Sequence, residues 1–354
     1  MKEMYELLNN VNMNLEEYED IKLSDIENRK TKNNVLSLIN ESGYAQKRKL
    51  SFTKVCACVA LVACISSITV AATSGILSTG IKNVFNIDSN KKMTIANNMG
   101  KALDMSVEDG GIKVTADAIL RDSHQICVIY TITRTDGKSF DFDGKPCTEL
   151  WFDEIEEINS KDNSEDNGGE SGIIEEESSS NSIKFFIISR FDEEIGSKVD
   201  IHMANMQFYT DNMYTPSKTI KGNWDFSIPT DFDYEDSTVN LANGQKLNIA
   251  GYDTQLESLA ISPVGFYFSI NFDSLDKGGS EIIKDVEKTG NFILHLKSGE
   301  IVEFNGISGP RCKADGTISF RINGCFEEMI PLDEMDKITL CGYEYKIPDS
   351  NVHD

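Results

Sequence analysis

Four histidines are the side chains in this sequence best suited to proton transfer or metal binding. They are His124, His202, His295 and His353. None stands at a zinc-ligand spacing or in a recognised nucleophile motif. His295 lies between Leu294 and Leu296, so we expect it to face away from the apolar side of its strand. We therefore predict no catalytic residue, no metal ligand and no cofactor, and we expect that the protein is not an enzyme.

Carboxylates are abundant, with 58 in 354 residues, so two neighbouring acids carry little meaning. A run that begins at Asp162, within a low-complexity acidic stretch, invites comparison with a calcium loop. An EF-hand needs glycine at its sixth position and glutamate at its twelfth. The chain has Asn167 and Ile173 there, so the calcium reading fails. We predict a solvated insertion loop over residues 153–182 instead.

The cysteines do not form a disulfide framework. Beyond residue 77 there are five of them, an odd number that cannot pair fully within one chain. Cys127 lies in the middle of a predicted strand, where it suits a buried apolar position. Cys312 and Cys325 could bridge a hairpin, yet we expect mainly free thiols. The five are Cys127, Cys147, Cys312, Cys325 and Cys341.

The net charge of −24 is unevenly distributed. Residues 1–54 carry nine of the 34 basic and nine of the 58 acidic residues, so the remainder carries the whole net charge. A field of that sign repels phosphate backbones and anionic lipid. A nucleic-acid partner is therefore not expected, and the charge keeps a large domain soluble.

An uncharged stretch near the N-terminus predicts a transmembrane helix. No charged residue occurs from Val55 to Ile81. Twenty-three helical residues, 55–77, span roughly 35 Å, enough for a hydrocarbon core of about 30 Å. Lys47-Arg48-Lys49 and Lys54 precede the stretch. By the positive-inside rule the N-terminus is cytoplasmic and the C-terminal region extracellular.

Two other interpretations of this stretch remain open. A cleaved signal peptide would need a short leading region, whereas 54 residues precede the apolar run. Leu61-Val62-Ala63-Cys64 also looks like a lipoprotein processing site. The apolar run continues past Cys64, which favours a transmembrane helix over a lipid anchor at that cysteine.

The first 54 residues form two predicted amphipathic helices. Apolar residues recur at helical spacing in the first helix, and Ser24-Asp25-Ile26-Glu27 fits a capping box that starts the second. Two such helices bury little surface against each other, so we expect them to fold on a partner, with an unpartnered tail as the alternative. The candidate partner-binding residues are Met4, Leu7, Leu8, Val11, Leu15 and Tyr18.

The region after residue 77 is mainly β. Period-two alternation marks strands over Ile112–Ile119 and Ile126–Ile132, a third run covers Ile183–Ile188, and Trp224, Phe226 and Ile228 share one strand face before Pro229. Short strands with frequent turns indicate β-sandwich modules. The hairpin turns are expected at Asn243-Gly244 and Ser298-Gly299, Asp315-Gly316 is expected to lead into Thr317–Ile322, and Ile338–Ile347 is expected to close the chain.

We divide this region where residues 229–236 break the strand pattern. The predicted organisation is a cytoplasmic helical segment (1–54), a transmembrane helix (55–77), a first β-sandwich ectodomain (78–232) and a second β-sandwich (233–350). Each β part then has an ordinary domain size.

Several stretches resemble a Gram-positive family of single-pass membrane proteins whose ectodomain is of unknown function. They are Met1–Asn10, Leu15–Asp20, Ser24–Glu27, Gly110–Thr115, Tyr130–Ile132, Gly222–Pro229, Ile261–Gly265 and Thr317–Ile347. Members are commonly described as putative anti-sigma factors. The resemblance implies that residues 1–54 bind a sigma factor and that the second module is immunoglobulin-like. The fold we predict is therefore mainly β, with two extracytoplasmic immunoglobulin-like β-sandwich modules, one transmembrane helix and a short helical cytoplasmic segment. The zinc-binding anti-sigma class does not fit, because no His or Cys precedes Cys56.

Two functions follow as hypotheses. In the first, the protein is a membrane regulator whose cytoplasmic helices hold a sigma factor and whose ectodomain senses the envelope through an unknown ligand or protease. In the second, it is an envelope-binding or structural protein with no sigma-factor role, in which aromatics such as Trp151, Trp224 and Tyr234 serve as contacts. For these aromatics, a core position is the favoured interpretation.

Overall fold

The computed structural model describes residues 79–142, 144–161, 169–175, 178–210, 215–272, 292–304, 311–312 and 318–348. The predicted cytoplasmic segment, the predicted membrane helix and all six candidate partner-binding residues lie outside these ranges. Within the described residues, no helix is long and apolar enough to cross a membrane.

The described chain is mainly β, as predicted. Two short helices come first, α1 (Thr79–Val84) and α2 (Asn90–Met99), and a 3₁₀ turn spans Leu332–Glu334. The strands are β1 (Gly100–Asp109), β2 (Ile112–Arg121), β3 (Gln125–Arg134), β4 (Asp141–Phe142), β5 (Lys145–Pro146), β6 (Glu149–Asn159), β7 (Gly169–Ile173), β8 (Ser182–Arg190), β9 (Lys198–Tyr209), β10 (Lys218–Pro229), β11 (Val239–Ile249), β12 (Tyr252–Ser262), β13 (Gly265–Phe272), β14 (Phe292–Leu296), β15 (Ile301–Phe304), β16 (Arg311–Cys312), β17 (Ile318–Cys325), β18 (Met335–Leu340) and β19 (Tyr343–Lys346).

The first module comprises β1–β10. One sheet has the order β1-β2-β3-β8-β7 and another the order β10-β9-β6, while β4 and β5 form a separate pair. Side chains from both larger sheets share one apolar core. At its centre Trp224 is fully buried and donates from Nε1 to the carbonyl of Ile112 at 3.1 Å. The predicted shared face of Trp224, Phe226 and Ile228 is therefore confirmed as a core face.

The second module comprises β11–β19. Its sheets have the orders β11-β12-β13-β17-β16 and β15-β14-β18-β19, and they too share one apolar core. Phe266 and Phe292 stack at the middle of that core with ring centroids 3.7 Å apart. The predicted turn at Ser298-Gly299 is confirmed, because Gly299 has φ +91° and β14 pairs with β15 on either side of it.

The predicted hairpin at Asn243-Gly244 is wrong. Both residues lie inside β11, which pairs with β12 as far as Ile249. The chain turns instead at Ala250 and Gly251, whose φ angles are 54° and 88°. Two consecutive left-handed residues match the twist of a two-residue hairpin turn, so Ala250 occupies a position where Asn or Gly is more usual. The Asn-Gly signal was misleading because register, not sequence alone, selects the turn.

The predicted insertion loop 153–182 is wrong in part. Residues up to Asn159 continue β6, and residues 169–173 form β7. The carboxylates obscured the strand pattern, yet strands at sheet edges tolerate and even favour charge. β6 is such an edge: it pairs only with β9 among the described strands, and Asp153, Glu154 and Glu156 on it are exposed.

The four cysteines whose side chains are described, Cys127, Cys147, Cys325 and Cys341, are free thiols. Cys127 is buried, as expected. The side chain of Cys312 lies outside the described residues, so a bridge from it stays untested.

Candidate functional site: the junction of the two modules

A buried carboxylate joins the first module to the second. Asp122, in the turn between β2 and β3, accepts hydrogen bonds at Oδ1 from the backbone N–H groups of His124 and Gln125, both at 2.8 Å. Its other oxygen, Oδ2, accepts from the hydroxyl of Ser262 at 2.6 Å. Asp122 therefore fixes its own turn and ties that turn to β12 of the second module.

A second set of polar contacts lies where β8 meets β17. Arg190 donates from Nη1 to the carbonyl of Asn323 at 2.9 Å, and Asn323 donates from Nδ2 to the carbonyl of Phe191 at 3.0 Å. Beside them, Arg321 pairs with the buried Asp192 at 3.2 Å. Although desolvation alone would lower it, the charge of Asp192 raises the pKa of Arg321 above its usual range.

An aromatic contact between the modules lies beside these polar contacts. We call the contacts of Asp122, Arg190, Asp192 and His124 with the second module the seam. The rings of His124 and Tyr267 lie parallel, at 9°, with centroids 4.1 Å apart. Burial raises the pKa of Tyr267 above its usual 10.0. The tyrosine hydroxyl is therefore neutral at physiological pH. The sequence placed His124 in a turn, which is confirmed, but gave no sign of its aromatic partner.

A buried arginine holds the linker between the modules. Arg121 is 4% exposed and donates to the carbonyl of Thr230, and its guanidinium lies 4.4 Å from the ring centroid of Tyr234. Burial lowers the pKa of Arg121 below its usual range, although nearby Tyr234, Asp122 and Asp236 oppose the shift. Tyr234 is thus half-buried and packs on a cation.

A small cavity opens at the seam. It is lined by residues of both modules, among them His124, Gln125, Ser262, Tyr267 and Asn323, and its volume is about 10 Å³. Gln125 is 5% exposed, and among the described residues its Nε2 has no hydrogen-bond partner; nor do Nδ1 of His124 and Oδ1 of Asn323. Such a space suits one water-sized group with a mixture of donors and acceptors, not an organic substrate.

The helices cover a third apolar cluster, which we call the junction cluster. It lies on the outer face of β2, β3 and β8, opposite the core of the first module, so β3 is buried on both faces. The second module contributes to it as well. Its fully or largely buried members are Ile81, Phe85, Ile87, Ala96, Met99, Ala118, Leu120, Cys127, Ile129, Ile174, Ile188, Val264 and Met329.

The helices contact both modules and the linker between them. The backbone N–H of Met329 donates to the carbonyl of Phe85 at 2.8 Å. The N–H of Glu235 donates to the carbonyl of Asn98, also at 2.8 Å, and the Asn98 side chain donates back to Glu235 at 2.7 Å. Gly80 brings α1 close to β3, since a Cβ there would lie 2.7 Å from Ile129.

Two lysines of α2 reach acidic side chains of the second module. Lys91 lies 2.7 Å from carboxylates of both Asp333 and Glu334, and Lys92 lies 3.3 Å from Glu328. Partial burial alone would lower the pKa of Lys91, but its hydrogen bonds to Asp333 and Glu334 raise it above 10.5. The ammonium group therefore stays charged over the whole physiological range.

The polar groups at the junction hold the two modules together. Among the described side chains, no group of three or more His, Cys, Asp and Glu residues could hold a metal ion. His202 pairs with Asp225 and His295 with Thr339, on the surface of different modules. The structure thus gathers polar residues at a contact between modules and leaves the described histidines apart.

Sequence reasoning missed the seam and both helices. One local signal was available: Ser89 caps α2, and its hydroxyl accepts from the N–H of Lys92 at 3.3 Å. The partners Asp122 and Ser262 are 140 residues apart, so no spacing rule could have joined them.

Comparison with known proteins gives one family match. A family described as a domain of unknown function (DUF4179) matches residues 45–134, which end with the last residue of β3. A search of curated proteins found no match. A solved structure described as the crystal structure of the conserved domain protein from Bacillus anthracis aligns with a TM-score of 0.42 and 14% identity. That alignment covers 69% of this chain and 78% of that chain, and it is too loose to assign a fold or a function.

Proposed function

We propose that the protein is a single-pass membrane regulator that resembles an anti-sigma factor. In this proposal residues 1–54 are cytoplasmic and bind a sigma factor, residues 55–77 cross the bilayer, and the β-rich region senses the envelope outside the cell. The two β modules would be immunoglobulin-like sandwiches, which their paired antiparallel sheets around separate cores support.

One observation carries the proposal: an uncharged stretch of membrane-spanning length separates two regions of opposite character. On its N-terminal side lie a basic flank and predicted amphipathic stripes that are too short to bury much apolar surface against each other. On its C-terminal side lies a folded β region that carries the whole net charge of −24. The matched family region, 45–134, includes the basic flank, the uncharged stretch and the first three strands.

The membrane topology is testable with the full chain. Membranes from cells that produce the protein should retain it through carbonate washing, and protease added to intact protoplasts should remove the β region but leave residues 1–54 protected. Reversing the basic flank, with Lys47→Glu, Arg48→Glu and Lys49→Glu together, should reduce correct insertion, because these charges set the orientation. Release of the wild-type chain by carbonate would contradict the proposal.

The sigma-factor role needs its own pair of variants. Leu7→Asp with Leu8→Asp places two charges on the apolar stripe of the first helix. Asn9→Asp with Asn10→Asp adds the same two charges at polar positions and serves as the matched control. Only the leucine pair should reduce co-purification of a sigma factor with the full-length chain and raise transcription from promoters that depend on it.

The result that would sink this role is equally specific. If the chain lacking residues 2–54 leaves sigma-dependent transcription unchanged, the cytoplasmic segment holds no sigma factor. Binding of the intact ectodomain to cell-wall material would then favour the envelope-binding alternative.

A further inference from the structure

We propose that α1 and α2, residues 79–99, form a detachable clasp that holds the two β modules together, and that its release is a distinct state of the ectodomain. The clasp contacts the first module through the junction cluster, the linker through Glu235, and the second module through Met329, Glu328, Asp333 and Glu334. Release of the clasp would therefore break contacts with the first module, the linker and the second module.

Several features make the clasp the element of the junction that is easiest to release. The clasp is short, with six residues in α1 and ten in α2, and five of its apolar side chains are buried, namely Ile81, Phe85, Ile87, Ala96 and Met99. α2 is attached to the second module by ion pairs, and those of Lys91 with Asp333 and Glu334 join side chains that are about half exposed. The Lys92 side chain, which pairs with Glu328, is 13% exposed. Exposed ion pairs contribute little and are screened by salt. Elements with few buried contacts open at low free-energy cost, ahead of the core strands.

Release would uncover a definite surface. Beneath the clasp lie Leu120, Cys127, Ile129 and Ile188 on the outer face of the first module, together with Val264 of the second. Each is 3% exposed or less while the clasp is docked. The same event removes both hydrogen bonds between Glu235 and Asn98, and the linker then keeps its contacts with Arg121 and Ser123.

The position of the clasp in the chain suggests its use. α1 begins two residues after the predicted membrane helix ends, so tension or proteolysis near the membrane would reach the clasp before either module. This link to signalling rests on the proposed function. The docking and release of the clasp do not.

Cys127 provides a native reporter of release. It is 2% exposed beneath the clasp, whereas Cys147 and Cys341 lie in the first and second modules away from the junction cluster. Burial raises the pKa of all three thiols, so each labels slowly unless its site opens. N-ethylmaleimide labelling of the purified full-length chain, resolved by peptide mass spectrometry, gives a rate for each cysteine separately.

The deciding variant is Lys91→Glu with Lys92→Glu, which turns attraction to the acids of the second module into repulsion. We expect Cys127 to label roughly five- to thirty-fold faster, with Cys147 and Cys341 unchanged. The matched control is Lys113→Glu with Lys246→Glu, which reverses one exposed lysine in each module and should change none of the three rates. Adding Glu328→Lys, Asp333→Lys and Glu334→Lys to the deciding variant should slow the labelling of Cys127 again.

Ionic strength should change the labelling rate of Cys127 in opposite directions in the wild type and in the deciding variant. Raising the ionic strength from about 0.01 M to about 1 M shortens the screening length roughly tenfold. Wild-type labelling of Cys127 should then rise, because attraction is screened, and labelling in the deciding variant should fall, because repulsion is screened. If Cys127 is unaffected by the variant, or if all three cysteines accelerate together as in global unfolding, the proposal is overturned. Neither result depends on a sigma factor, so failure here and failure of the proposed function are separable.

Discussion

The hydroxyl of Ser262 in the second module donates a 2.6 Å hydrogen bond to Oδ2 of Asp122 in the first, and both residues are buried. The carboxylate also accepts two backbone N–H groups from its own turn. One side chain therefore stabilises a local structure and a contact between modules at the same time.

Asp122→Ala should lower the free energy of unfolding by roughly 3 kcal/mol, because it leaves two buried N–H groups and a buried hydroxyl without their acceptor. Ser262→Ala should cost only about 1 kcal/mol. Since the two side chains share a hydrogen bond, the double variant should cost less than the sum of the two single variants.

Chemical denaturation followed by tryptophan fluorescence measures the free energy of unfolding of all three variants. Asp104→Ala, an exposed acid on β1, is the control and should change stability by at most about 0.5 kcal/mol. Strict additivity of the two seam variants would contradict a direct coupling.

The turn between β11 and β12 can be improved by one substitution. Ala250 is held at φ 54°, a conformation that Asn and Gly adopt at lower cost than Ala. Ala250→Asn should therefore raise the free energy of unfolding by about 0.5–1 kcal/mol, and Ala250→Val should lower it.

The matched test is Asn243→Ala, within the turn expected from sequence. Asn243 is exposed inside β11, so its replacement should have little effect. A large loss from Asn243→Ala with no gain from Ala250→Asn would mean that the hairpin turns where the sequence suggested. Both measurements use the same denaturation assay.

Period-two alternation was enough to find β2, β3, β8 and β10, because one face of each strand enters a core and every second residue is apolar. Alternation does not describe β3 fully. Its residues from Gln125 to Tyr130 are all buried, since the junction cluster covers the second face of the strand, where the sequence indicated only that Cys127 is buried. Such a second layer depends on elements that are distant in sequence. The seam was invisible for the same reason, and α2 was missed because its polar sequence carries only a weak apolar stripe.

A surface ion pair gives the chain a small pH dependence. Asp136 accepts two hydrogen bonds from the Arg134 guanidinium, at 2.7 and 3.0 Å, and one from the N–H of Lys138. The bonds from Arg134, and next that from Lys138, lower the pKa of Asp136 below its usual 3.8.

Because the folded state holds this proton less tightly than the unfolded state, the stabilisation is complete above pH 3.8 and is lost as the pH falls through the lowered pKa. Asp136→Asn should therefore be slightly less stable than wild type near pH 7, and the difference should shrink steadily below pH 3.8. Denaturation midpoints across that range measure it. The effect should be small because solvent screens an exposed pair. A difference that grows on acidification would contradict the assignment.

A close approach in the second module makes Gly324 sensitive to substitution. Gly324 pairs across the sheet with Phe266, and a Cβ at Gly324 would lie 2.1 Å from Cε1 of that ring. The ring cannot retreat, because its other face stacks on Phe292 at 3.7 Å and the residue is only 6% exposed. Gly324→Ala should therefore lower the free energy of unfolding by roughly 2–3 kcal/mol through overpacking.

Gly299→Ala is the matched glycine variant. Its φ of +91° strains any side chain, but no atom of the described residues lies within 4 Å of the added Cβ, so the substitution should cost only about 1 kcal/mol. Replacing the ring by leucine should relieve the clash. The loss of stability in the double variant, Gly324→Ala with Phe266→Leu, should therefore be smaller than the sum of the losses in the two single variants. If Gly324→Ala proves milder than Gly299→Ala, the Phe266 ring has room to move, and the stacked arrangement is looser than its 3.7 Å centroid distance implies.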